Sequence, residues 1–286
     1  MRPKNLRSRI FLDSGDPAET RNALKLLGFL DGQTTNPTLI SNHPKAKERI
    51  SAGEKFTKEE IILFYKEVIQ EVSAIIPEGS VSIEVYSDSS TSSDEMIRWA
   101  REMFSWIPNA HVKLPTTQEG LRAAEQALKS GIRVNMTLCF SQEQAAAVHA
   151  ATRGAKKGQV FVSPFIGRLD DRGENGMDLI SNILHMYRKA DSHVEVLTAS
   201  IRNLNHLMSA LALGSDIATV PFKIIEEWAP KRDVQSDEVQ SPSLRRIPYE
   251  EIDMNKAWDA YSITHDLTKK GIERFSNDWN NLIIQR

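Results

Sequence analysis

One lysine interrupts an apolar strand pattern, in His111-Val112-Lys113-Leu114-Pro115-Thr116-Thr117. Side chains alternate along a strand, so Val112 and Leu114 share a face and Lys113 projects from the other. Lysine is a poor strand former, and burying its ammonium is costly. An enclosed lysine loses solvation, which favours the neutral amine. A neutral amine attacks a ketone or aldehyde carbonyl and forms a Schiff base. The ordinary alternative is a lysine whose stem lies along apolar surface while its head reaches water at the strand end. The other strand-like segments bear on the choice.

Five of them carry a polar residue where a buried strand should be apolar. Asp13 shares a face with Phe11, opposite Ile10 and Leu12, and Glu84 is flanked by Ile83 and Val85. Asn135 and Thr137 share a face, opposite Val134, Met136 and Leu138. Ser163 and Phe165 share a face, opposite Val162 and Ile166, and Ser200 follows Leu197-Thr198-Ala199. One buried polar residue is usually a satisfied structural group, but so many strands each supplying one is hard to explain as core. Asp13 and Glu84 suit proton transfer beside an amine nucleophile. Threonine, serine and asparagine can hold a water and the hydroxyls of a sugar. Arg168 and Arg202 each follow a strand end and suit a terminal phosphate. Either arginine alone is weak evidence.

The elements that would position these residues follow from periodicity. Strands are expected at 9–14, 28–35, 81–86, 111–117, 134–140, 160–166, 194–200 and 217–222. Helices are expected between them, over about 57–74, 118–128, 142–151 and 204–213, with another through His185. Asp16-Pro17 opens the first helix as N-cap and first helical residue. Ser92-Ser93-Asp94-Glu95 matches a capping box. The charged insert at 41–56 reads as an exposed loop or short helix, and 170–176 as a polar loop. Strands alternating with helices call for a parallel sheet, and eight such units fit a closed (β/α)8 barrel of the α/β class. The whole chain, 1–286, then forms one domain, with a proline- and charge-rich connection at 229–253 and a C-terminal helical element at 254–286. Trp258, Tyr261, Leu267, Ile272, Phe275, Trp279 and Leu282 in that element read as packing residues, against the barrel, the mouth of the site or a neighbouring subunit.

Composition narrows the function classes. The formal net charge is −2 and no long basic run occurs, so nucleic-acid binding has no support. The one cysteine, Cys139, excludes an internal disulfide and a cysteine-built metal site. No apolar run is long enough to span a membrane and the start does not resemble a secretory signal, so the expected location is cytoplasmic. The histidines are scattered, with no metal-binding pair beside a carboxylate. There is no glycine-rich phosphate loop and no nucleophile elbow.

Four motifs in register, Thr34-Thr35-Asn36-Pro37-Thr38-Leu39-Ile40, Val112-Lys113-Leu114-Pro115, Asn135-Met136-Thr137-Leu138-Cys139-Phe140-Ser141 and Ser163-Pro164-Phe165-Ile166-Gly167-Arg168, resemble transaldolase. The resemblance runs from about residue 9 to 222 and includes the closing Asp278-Trp279 helix. It implies a class I aldolase-type barrel that needs no metal or cofactor, takes sugar-phosphate substrates and assembles as a homo-oligomer. By motif, Lys113 would form the Schiff base and Asp13 would take the proton from the C4 hydroxyl. Glu84 and Thr137 would hold the proton-shuttling water. Asn36, Asn135 and Ser163 would position the dihydroxyacetone unit, and Arg168, Ser200 and Arg202 the phosphate. In relatives that act as plain fructose 6-phosphate aldolases, tyrosine stands where this chain has Phe165, and glutamine tends to replace Glu84. The two residues present here favour transfer. The insert at 41–56 and the long connection at 229–253 depart from the family's pattern and bear on the acceptor and on a phosphate or sulfonate head group.

Overall fold

The computed structural model describes residues 2–231 and 244–284. Eight parallel strands close into a barrel in sequence order. They are β1 (Arg9–Asp13), β2 (Gly32–Thr34), β3 (Ser80–Glu84), β4 (Ala110–Pro115), β5 (Val134–Cys139), β6 (Val160–Pro164), β7 (Glu195–Thr198) and β8 (Ile217–Val220). Between and after them run α1 (Pro17–Leu27), α2 (Pro37–Ser41), α3 (Pro44–Ser51), α4 (Lys58–Ile75), α5 (Ser93–Phe104) and α6 (Gln118–Lys129). The series continues with α7 (Gln142–Ala151), α8 (Ile166–Asp170), α9 (Gly176–Lys189), α10 (Leu204–Leu213), α11 (Phe222–Trp228) and α12 (Asp266–Asn280). This is the (β/α)8 barrel expected from the alternation of periods. Every residue of β4 and β5 is buried, as parallel strands covered on both faces require.

Local chemistry fixes most helix starts. Asp16 accepts from Ala18 N at 2.8 Å with Pro17 behind it, and Thr57 and Glu60 form a reciprocal capping box. At α5 the expected box is half formed. Ser92 accepts from Glu95 N, but Ser93 N is taken by Glu119 of α6 at 2.9 Å, so a tertiary partner supplies the second cap.

Several strands end earlier than their apolar runs suggest. Val85, Ala199 and Ile166 remain buried after the chain has left the regular ladder, so burial, which the sequence encodes, outlasts strand geometry. Residues 166–170 form a short helix before the polar loop, and half of the insert is the two-turn helix α3. The strict alternation expected along β5 also fails. Leu138 adopts φ +59° at a register shift between Met136 and Cys139, which takes it out of step with Val134 and Met136. Thr268 Oγ1 of α12 donates to Leu138 O at 2.9 Å and stabilises that turn.

The expected C-terminal helical element is shorter than 254–286. One 3-10 turn at Trp258–Ala260 precedes α12, and Leu267, Phe275 and Trp279 of α12 are buried against the barrel. Phe56, at the end of the insert, exchanges backbone bonds with Leu282 and Ile284 just beyond α12 (2.8 and 2.9 Å). Part of the 229–253 connection lies outside the described residues. Its later part runs along α9 and α7, where Asn182 donates to Ile247 O and Gln142 exchanges bonds with Glu250. Among the described residues no helix is long and apolar enough to cross a membrane.

Candidate active site

Register places the chemistry on one level of the barrel. Glu84, Lys113 and Asn135 are lateral neighbours on β3, β4 and β5, and Asp13 neighbours Thr34 on β1 and β2. Lys113 is buried, with 3% of its surface exposed, so the solvent-reaching alternative does not hold. Its Nζ donates to Thr35 O at 2.9 Å and stands 2.8 Å from Glu84 Oε2. That second contact is a charge contact, since Oε2 lacks an aligned hydrogen-bond donor. The lysine is therefore enclosed against a carboxylate and not by apolar walls alone.

Both carboxyls are held above the usual carboxylate range. Burial pushes Asp13 up, while the Lys113 charge and a 2.7 Å hydrogen bond from Thr34 Oγ1 pull it back in part. Burial likewise raises Glu84, opposed chiefly by Lys113. Thr34 spends its proton on Asp13, so the 2.5 Å contact with Thr219 Oγ1 requires Thr219 to donate. A similar chain stands behind Lys113. Thr35 Oγ1 donates to Ser82 O, so Tyr65 Oη donates to Thr35 Oγ1 at 2.7 Å while accepting from Glu84 N at 2.9 Å. Tyr65 thus ties the two residues that touch the lysine head to one point.

Eight of the expected site residues line a single cavity at the carboxyl ends of the strands: Asp13, Asn36, Lys113, Ser163, Phe165, Arg168, Ser200 and Arg202. That is where barrel loops converge. Glu84, Asn135 and Thr137 are buried but are not part of its lining. Asn135 accepts from Ser163 Oγ at 2.6 Å and donates to Ser82 Oγ at 3.1 Å. Asn36 has a second duty as the N-cap of α2, accepting from Leu39 N at 2.9 Å. Thr137 Oγ1 is buried with no hydrogen-bond partner among the described residues.

The anion end departs from the simple expectation. Arg202 makes two parallel bonds to Asp171, so its fork is already occupied. Ser200 sits at φ +61°, a left-handed conformation unusual for serine. Ser200 O accepts from Gly167 N at 3.2 Å, and a side chain at Gly167 would lie 2.5 Å from both Ser200 O and Arg202 Nε. Arg168 lies between the rings of Phe165 and Phe275, at 5.5 and 5.3 Å. Phe275 of α12, expected to pack on the barrel or at the mouth of the site, lines the same cavity; sequence reasoning missed Arg274 beside it, as it did Thr34, Thr38 and Thr219. A further sequence trace of that docking is Gly271, a glycine inside an otherwise regular helix.

The transaldolase/fructose-6-phosphate aldolase family model matches residues 10–285. The chain belongs to that family. It is 38% identical over 274 residues to the "Probable transaldolase" of Dehalococcoides mccartyi, covering 96% of this chain and 99% of the relative. A "Probable transaldolase" of Roseiflexus castenholzii is 36% identical over 271 residues, covering 95% and 96%. A solved 3-hexulose-6-phosphate synthase superposes with a TM-score of 0.47 at 16% identity, covering 78% of this chain and 98% of that one. Membership in the transaldolase/fructose-6-phosphate aldolase family makes the protein an enzyme of the aldolase–transferase kind. In this family member the lysine, both carboxyls and the arginine-bearing loops meet at one end of the barrel.

Proposed function

We propose that the protein is a transaldolase. It moves a dihydroxyacetone unit from a ketose phosphate, fructose 6-phosphate or sedoheptulose 7-phosphate, to an aldose phosphate through a Schiff base on Lys113. The observation that carries this reading is a buried Nζ lining the sugar-sized cavity with Asp13, 2.8 Å from Glu84.

The chemistry runs as follows. The Lys113 amine adds to the ketose C2, and the carbinolamine loses water once its hydroxyl is protonated. Glu84, raised by burial, is suited to deliver that proton through a water held with Thr137, whose Oγ1 has no other partner. The resulting cationic imine draws electrons. Asp13 takes the proton of the C4 hydroxyl, the C3–C4 pair flows toward the imine nitrogen, and the aldose phosphate leaves. The enamine on Lys113 then attacks the carbonyl carbon of the acceptor, Asp13 returns its proton to the new alkoxide, and hydrolysis frees the lysine. Asp13's raised pKa makes it a stronger base than an ordinary aspartate. Phe165 brings no hydroxyl to the cavity, which favours an enamine that waits for an aldehyde over one that is protonated and released.

Borohydride trapping with fructose 6-phosphate tests the reading. The expected result is a stable dihydroxyacetone adduct on Lys113 that is absent from Lys113→Ala; no adduct on any residue refutes it. Free dihydroxyacetone formed without an acceptor would instead favour the fructose 6-phosphate aldolase activity. Competition between phosphate and sulfonate ketoses distinguishes the head groups.

A further inference from the structure

The anion end of the cavity carries more positive charge than the barrel loops supply. Among the described residues, no carboxylate lies within ion-pair distance of Arg168 and no hydrogen bond is made by its guanidinium. Arg202 is closed by Asp171. Arg274, on α12, lines the same cavity and is largely exposed. Among the described residues its one ion-pair partner is Asp278, 3.8 Å from Nε and beyond hydrogen-bond length, and Asp278 already accepts from Thr38 Oγ1 of α2. Two guanidinium groups therefore stand open at one end of a site whose third is occupied.

Like charges are not normally left facing each other. Arg168 feels Arg274 directly: burial is the main cause of its lowered pKa, and Arg274 is the next. The packing holds this arrangement in place. Gly271, one turn before Arg274, lets the helix backbone approach so closely that a Cβ there would lie 2.7 Å from Arg168 Nη1 and 2.6 Å from Leu138 Cδ2. Phe275, the next residue, provides a ring on which Arg168 lies. The Thr38–Asp278 bond seats the helix against α2, and the Phe56 backbone pairing ties the chain just beyond it to the insert.

We propose that Arg274 is a specificity-determining residue: with Arg168 it forms a two-guanidinium clamp that makes the cavity select a dianionic phosphate ester over a singly charged or neutral head group. This rests on the transaldolase reading and deepens it. Two open cations match the two charges of a phosphate monoester, whereas a sulfonate brings one. The C-terminal helix then belongs to the substrate site as well as to the core.

The test compares wild type with Arg274→Gln and Arg274→Lys, using neutral glyceraldehyde as acceptor. Donors are fructose 6-phosphate, its 6-sulfonate analogue and fructose. In Arg274→Gln, KM for fructose 6-phosphate should rise about 10- to 100-fold while kcat changes less than about 3-fold, as for loss of a charge-assisted contact made equally in ground and transition states. The phosphate-to-fructose ratio of kcat/KM should fall by the same factor, and the phosphate-to-sulfonate ratio should shrink. Arg274→Lys should lie between, because it keeps the charge without the fork. Inorganic phosphate, followed by calorimetry, should bind correspondingly more weakly to Arg274→Gln. An unchanged KM and phosphate affinity, or an equal loss with fructose and fructose 6-phosphate, overturns the proposal. If wild type forms no borohydride adduct, the transaldolase reading fails; phosphate calorimetry still decides the clamp by itself.

Discussion

The two ends of the barrel hold the same kinds of residue in opposite states. At the amino-terminal end, His111 of β4 stacks on Phe161 at 4.1 Å, and both ring nitrogens are satisfied, by Ser80 Oγ at 2.7 Å and Gly158 O at 2.9 Å. Arg9 meets Glu195 at 2.9 Å and lies over the rings of Phe161 and Phe11, although its Nη2 lacks an aligned acceptor. Two residues along the same strand, on the same face, Lys113 shares its end of the barrel with two raised carboxyls, a threonine hydroxyl that has no partner among the described residues, and Arg168, which has no acceptor among them. Polarity inside the barrel does not separate structure from function here. Satisfaction does. Where the buried polar groups are mostly answered by the protein, as at His111, the end is a plug. Where groups are left partly unanswered, their remaining capacity is open to a substrate.

Exchanging the two ends by mutation should break this contrast most visibly. Lys113→Ala should lower kcat/KM by roughly 10^4-fold or more and abolish trapping, because the covalent route is gone. His111→Ala should leave trapping intact in folded protein and destabilise by about 2–4 kcal/mol in urea titration, through a cavity and orphaned partners. If His111→Ala abolished trapping without loss of stability, the division between the ends would be wrong.

Asp13→Asn should come next, with a loss of about 10^2- to 10^4-fold in kcat while the imine still forms and is trapped. The base form of Asp13 is the active one, so activity should fall as pH falls through a value above the ordinary carboxylate range, and that acid limb should vanish in the variant. An acid limb unchanged in Asp13→Asn would assign it to another group.

The plug should respond to pH in the opposite register, through stability. Burial lowers His111 to about 3 from 6.5, so between those values the unfolded chain binds the proton and the native one does not. Stability should therefore fall as pH falls through that window, by on the order of 3 kcal/mol from pH 7 to 4. His111→Gln should remove that slope in denaturant titrations at successive pH values. The smallest effect sharpens the comparison furthest. Thr137→Val removes a hydroxyl that nothing in the protein satisfies, so the fold should be as stable or up to about 1 kcal/mol more stable while imine formation slows roughly 10-fold. A Thr137→Val protein that lost stability would place the hydroxyl in the structural class.

Much of this was legible in the chain. Period-two alternation is local, so the placement of Asp13, Lys113 and Ser163 toward one interior followed from their neighbours. It failed where local geometry is broken from outside. Leu138 leaves the alternation because Thr268 of α12 engages its carbonyl, and the second cap of α5 comes from Glu119 of the next helix. The pairing of Arg202 with Asp171 was not legible either, because the two lie on different loops. Tyr65 gave no sign of its role, since in sequence it lies inside a helix, far from Thr35 and Glu84, which it joins.

By itself the amino-acid sequence determined the alternation of strands and helices, the closure of the barrel and the lysine within it, because each follows from side-chain periodicity over a few residues. Only the tertiary structure decided that Glu84 meets Lys113, that Asp171 occupies Arg202 and that Arg274 reaches the cavity. Those contacts join segments far apart in the chain, and their distances depend on strand register and on how closely one helix, relieved of a side chain at Gly271, can lie against the barrel.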